Sequence, residues 1–96
     1  MPLFLVYLGG IAPGANIELH DVRFVAAERI EDTYTQLCQQ WFGSVKGLHI
    51  DSYMQVKHID GYSVSVQREP QMLDVKLYFV NFGGYHTDKI AEQHDF

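Results

Sequence analysis

Two short, continuous apolar runs stand near the two ends of the chain. Leu3-Phe4-Leu5-Val6-Tyr7-Leu8 and Leu77-Tyr78-Phe79-Val80-Asn81-Phe82 both run into a glycine pair, Gly9-Gly10 and Gly83-Gly84. Runs of this length without polar alternation fit strands covered on both faces. Asp21-Val22-Arg23-Phe24-Val25-Ala26-Ala27 reads as another strand, and the stretch from Ala12 to Leu19, with Pro13 and Gly14, reads as a loop. Thr87 to Gln93 reads as more helical, with Thr87 or Asp88 as its N-cap.

A helix is expected from about Asp32 to Phe42. Ile30, Tyr34, Leu37, Cys38, Trp41 and Phe42 fall on one face, Glu31 and Asp32 favour its start through the helix dipole, and Gly43 can end it. From Leu48 the period changes to two. Leu48, Ile50, Met54, Val56 and His58 share one face, while His49, Asp51, Tyr53, Gln55 and Lys57 share the other. Tyr62, Val64 and Val66 continue the apolar side if a three-residue loop, Ile59-Asp60-Gly61, connects the strands. The expected fold is α+β, a mainly antiparallel sheet of about five strands in the order β-β-α-β-β-β, with one amphipathic helix on one face.

The chain also resembles itself. Shifted by 74 places, residues 3–22 fall on residues 77–96 without a gap, and seven of the twenty positions are identical. Unrelated segments of average composition share about one in twenty. The shared letters include the glycine pair and a Glu-x-His-Asp motif, at Glu18, His20 and Asp21 and again at Glu92, His94 and Asp95. Strand composition accounts for matched Leu and Val but not for these, so a duplication is expected. Residues 1–84 then form one α+β domain, and residues 77–96 begin a second repeat unit.

Composition narrows the partners. The 96 residues carry seven Lys and Arg against twelve Asp and Glu, a formal charge of -5, with no basic run to track a phosphate backbone. No nucleic acid is expected as a partner. The apolar start has no basic n-region or cleavage site and falls short of the ~20 residues of a bilayer span, so no membrane association is expected either. With the single Cys38 precluding an internal disulfide, a cytoplasmic protein is expected.

The runs L-F-L-V-Y-L-G-G and E-L-H-D-V-R-F-V, followed by Q-Q-W-F-G and G-L-H-I-D-S-Y, resemble a bacterial domain-of-unknown-function family, the one numbered 1543. The resemblance implies a prokaryotic source and one or two copies of the domain per chain, the second cut short here. It implies no activity, ligand or catalytic residue.

The remaining chemistry lies in a few constellations. Glu18, His20 and Asp21, with Glu92, His94 and Asp95, offer carboxylate and imidazole ligands that suit a divalent ion, and the two sets would meet if the copies pack about a pseudo-twofold axis. The commoner case is structural, with Asp and His at a strand entrance tying down neighbouring backbone N–H groups, and no Cys or His-x₃-His spacing supports a metal. His49 and Asp51 read as a same-face surface pair, apart from His58 and Asp60. Gly9-Gly10 with Gly14 lacks phosphate-loop spacing and reads as a tight turn or a close chain approach. Cys38, on the apolar helix stripe, reads as a buried, inert thiol. No cofactor motif is present. A non-enzymatic module that pairs with itself or with another protein is therefore favoured, against a small metal-binding protein or enzyme built on the Glu-x-His-Asp clusters. As a homodimer, the chain would use Tyr85, Ile90 and Phe96 as interface anchors.

Overall fold

The computed structural model of the chain describes residues 1–69, 75–84 and 93–95. Its main sheet has three antiparallel strands, β1 (Leu3–Ile11), β2 (Leu19–Ala26) and β3 (Ser44–Gln55), in the order β2-β1-β3. Between β2 and β3 a 3-10 turn over Ile30–Thr33 leads into α1 (Tyr34–Gln40). Two further hairpins follow, β4 (His58–Ile59) with β5 (Tyr62–Ser63) and β6 (Phe82–Gly84) with β7 (Gln93–Asp95). The fold is thus a small α+β domain of mostly antiparallel strands and one short helix.

The core lies between α1 and one face of the sheet. Phe4, Val6 and Leu8 alternate inward along β1 and meet Val25, Ile30, Leu37 and Trp41, with Leu19, Leu48 and Ile50 at the margin. Side chains two apart on a strand share a face, so Leu3, Leu5, Tyr7 and Gly9 belong to the opposite, open face. Gly10 belongs to the core face. A Cβ there would stand 2.8 Å from Trp41 Cζ2, so the glycine lets the indole rest against the backbone of β1. Trp41 Nε1 donates to the Ser44 carbonyl at 3.1 Å, which satisfies the one polar atom of a buried ring. The buried Thr33 hydroxyl likewise donates to the Ile30 carbonyl at 2.6 Å and closes the 3-10 turn.

The helix is shorter than the stripe of apolar residues implies. It ends at Gln40, and Trp41 is already extended, with φ -65° and ψ 134°. That turn of the backbone brings the indole under β1 and leaves Phe42 and Tyr34 exposed. Ile30, Leu37 and Trp41 therefore carry the packing.

The sheet is also narrower than five strands. The segment after β3 forms its own ladder around Asp60 and Gly61, with Ile59 opposite Tyr62. Both turn residues have positive φ, 51° and 83°, as a two-residue type I′ turn requires. The expected three-residue loop was inferred from an apolar face common to Tyr62, Val64 and Val66. Tyr62 is exposed and Val64 and Val66 only half-buried, so burial does not impose that register. In the second apolar run only Phe82 enters a strand, and Phe79 instead sets its ring against Phe24 edge to face, with centroids 5.6 Å apart. Of the residues expected as helical, Thr87 to Gln93, those at 87–92 lie outside the described residues, and Gln93 opens β7 instead.

The Trp41 arrangement leads to a direct test. Trp41→Ala should destabilise the domain by about 3–5 kcal/mol through the cavity it leaves, enough to unfold much of a marginal domain. A melting temperature within a degree or two of wild type would show that the indole does not hold the helix to the sheet.

Candidate functional site

The central strand also makes room on its open face. Gly9 pairs with His20 on β2 and with His49 on β3, and residues directly opposite in antiparallel strands share a face. Two imidazoles therefore flank a position that has no side chain. Glu18, one residue before β2, reaches over the same spot, and Asp51 reaches it from β3. A Cβ on Gly9 would overlap Glu18 Oε1 and stand 2.8 Å from both Asp51 Oδ2 and His49 Nε2. The absent side chain is the floor of the cluster.

A β-bulge aims Asp51. The ladder between β1 and β3 pairs Tyr7 with Ser52 but Leu8 with Ile50, so Asp51 is the extra residue. An added residue reverses the alternation beyond it. Ile50 and Leu48 pack on the core and the exposed Tyr53, opposite Val6, sets its ring edge-on to Phe4 at 6.2 Å, whereas Met54 lies opposite Leu5 on the open face. Strict alternation from Leu48 to Val56 misassigns Tyr53 and Met54 for this reason.

The contacts within the cluster are short. His49 Nε2 lies 2.7 Å from Glu18 Oε1 and 3.0 Å from Asp51 Oδ1. His20 Nε2 lies 3.5 Å from Asp51 Oδ2, and its ring stacks on Tyr7 with centroids 5.0 Å apart. Glu18, His20 and Asp51 each present one ligand atom, all within 4.8 Å of one another. His49 Nδ1 sits 2.9 Å from the Gly47 carbonyl, which can only accept, so Nδ1 carries a proton and donates. Gly47, with φ +82°, takes the left-handed conformation that glycine accepts most easily. The Gly47 carbonyl holds the His49 pKa above 6.5; desolvation opposes it, and the Asp51 and Glu18 carboxylates raise it further. The rings and carboxylates are about half exposed, so their ion pairs contribute little to stability.

The motifs read from sequence are thus redistributed. Glu18 and His20 reach the cluster, but Asp21 does not. It stands opposite Leu8 on the core side, where Oδ2 accepts from Arg23 Nε at 2.7 Å and Oδ1 from the Val22 amide at 2.9 Å. Adjacent strand residues face opposite ways, so one sheet face cannot hold all three members of the motif. His49 and Asp51 do form a pair, and they also join Glu18 and His20. The missed signal was the pair of i, i+2 couples, Glu18/His20 and His49/Asp51, on strands that flank the same glycine. Glu92, Tyr85, Ile90 and Phe96 lie outside the described residues. His94 and Asp95 sit on β7, where His94 Nδ1 is 3.4 Å from Asn81 Oδ1.

Cys38 is half-buried rather than buried. With Tyr34, Leu37 and Leu48 it lines a groove of about 450 Å³ between α1 and β3.

A three-stranded antiparallel sheet with one covering helix, and paired His and carboxylate donors over a glycine, defines a small α+β domain with a potential ligand cluster on its open face. The chain belongs to the family described as Domain of Unknown Function (DUF1543), whose sequence profile matches residues 15–66. Among solved structures it is similar to the crystal structure of a protein Il1583 from Idiomarina loihiensis, with 53% identity and a TM-score of 0.69. That match covers 73% of this chain and 48% of the other, so the chain spans about half the length of that structure. None of the curated proteins matches. The family carries no assigned function. No described helix is long and apolar enough to cross a membrane.

The hydrogen bonds to His49 set its titration. Its midpoint by NMR should lie above 6.5, and Asp51→Asn should lower it without restoring the ordinary value, because the Gly47 carbonyl remains. Since the folded pKa is the higher one, any stability this proton adds is present below pH 6.5 and lost as pH rises through the folded midpoint. A His49 midpoint at or below 6.5 in the wild type would contradict these contacts.

Proposed function

We propose that the domain is a non-enzymatic binding module that takes a divalent transition-metal ion, such as Zn²⁺, on the open face of its sheet. The supporting observation is the cradle at Gly9, where an added Cβ would displace the ends of Glu18, Asp51 and His49. Charged surface residues ordinarily spread into solvent. Here two i, i+2 couples from separate segments converge on one point over a position with no side chain.

The donor set of two imidazoles and two carboxylates is one that Zn²⁺ and its neighbours accept. His49 has the arrangement typical of a metal-binding histidine. Its Nδ1–H is committed to the Gly47 carbonyl, which fixes the ring orientation and turns Nε2 towards the carboxylates. The ring stack of Tyr7 on His20 orients the second imidazole. Two carboxylates offset the charge of a dication.

The experiment is calorimetric titration with Zn²⁺ and Co²⁺. One ion should bind per domain, and His49→Ala and Asp51→Asn should each weaken it by at least about 10–100-fold, the scale on which even supporting residues act. Gly9→Ala is the sharper variant. Its Cβ meets only the far ends of flexible side chains, which can swing away, so melting should change little while metal affinity falls. A Gly9→Ala protein that binds as tightly as wild type would remove the basis of this reading.

A further inference from the structure

The second glycine pair behaves as the first does. In β6–β7, Phe82 pairs with Asp95, Gly83 with His94 and Gly84 with Gln93. In β1–β2, Leu8 pairs with Asp21, Gly9 with His20 and Gly10 with Leu19. Each of these three pairs maps on the other by the same 74-residue shift that relates the sequences. The side-chain neighbours correspond too, because Asn81 beside His94 occupies the place of Tyr7 beside His20.

We propose that the repeated segment, residues 77–84 with 93–95, docks the counterparts of β1's open-face positions onto the open face of the first sheet. Phe79 is the counterpart of Leu5 and Asn81 of Tyr7, both open-face positions of β1. Phe79 lies against Phe24, the open-face residue opposite Leu5. Asn81 joins Phe79 in lining a cavity of about 410 Å³ whose other wall includes Tyr7, His20 and Val22. Open-face counterparts in the repeated segment therefore meet open-face positions of the first sheet, with Asp21 also at the cavity wall.

The chemistry of the face agrees with this occupant. Leu5, Val22, Phe24 and Met54 form an apolar patch on a sheet side that α1 does not cover, and Phe24 and Met54 are exposed. A second sheet of the same composition is the complementary partner, since sheets stack through their apolar faces at about 10 Å. The solved relative, of which this chain matches 48%, is long enough to hold two such units. The inference does not rest on metal binding. It places the cluster around Gly9 at the margin of the docked segment.

NMR distances and limited proteolysis of the whole chain test it together. Nuclear Overhauser contacts should join the Phe79 ring to Phe24, and the Asn81 side chain to Tyr7 or His20. Trypsin should cut after Lys76 at least about tenfold faster in Phe24→Glu and in Phe79→Glu than in wild type, since local protection follows local contacts. Phe79→Glu should leave the melting of the first domain unchanged, which separates undocking from unfolding. Phe79 contacts to Leu37 or Trp41 on the helix side, absent contacts to the open face, or equal cleavage of folded wild type and both variants would each overturn the proposal.

Discussion

The structure depends on two adjacent positions of the central strand having no side chains. Because strand residues alternate between faces, Gly9 and Gly10 clear space on opposite sides of one sheet. Below, Gly10 lets the Trp41 indole press on the backbone, and the indole in turn anchors the end of α1 through the Ser44 carbonyl. Above, Gly9 admits the ends of Glu18, Asp51 and His49. Glycine in a strand costs conformational entropy and loses packing area. Here that cost is tied to two close approaches, one serving the core and one the site.

Much of this was legible in the residues. The first apolar run located β1, and the change of period fell within β3. The glycine pair read as a close chain approach, which holds, although β1 continues through it to Ile11 rather than turning. What could not be read was set by single-residue events. One added residue at Asp51 reverses the faces beyond it, and a two-residue turn at Asp60-Gly61 rather than a three-residue loop shifts the register of Tyr62. Periodicity assumes an unbroken phase and carries no mark of a bulge.

The site shows the same division. Glu18, His20 and Asp21 group in sequence as a repeated motif of ligand-type residues. Strand geometry sends Asp21 to Arg23 on the other side of the sheet. Alternation sets His49 and Asp51 apart from His58 and Asp60 and reads them as a surface pair. Only the pairing of β2 and β3 with the same glycine of β1 joins the couples.

The central claim is that the space over Gly9 exists to hold a cation among Glu18, His20, His49 and Asp51. The most direct measurement is an anomalous difference map from crystals of the protein soaked in Zn²⁺. The account predicts a peak over Gly9, about 2.0–2.2 Å from the ring nitrogens of His20 and His49 and from oxygens of Glu18 or Asp51. Zinc found only at other surface histidines such as His58, with the Gly9 cluster unchanged, would contradict it.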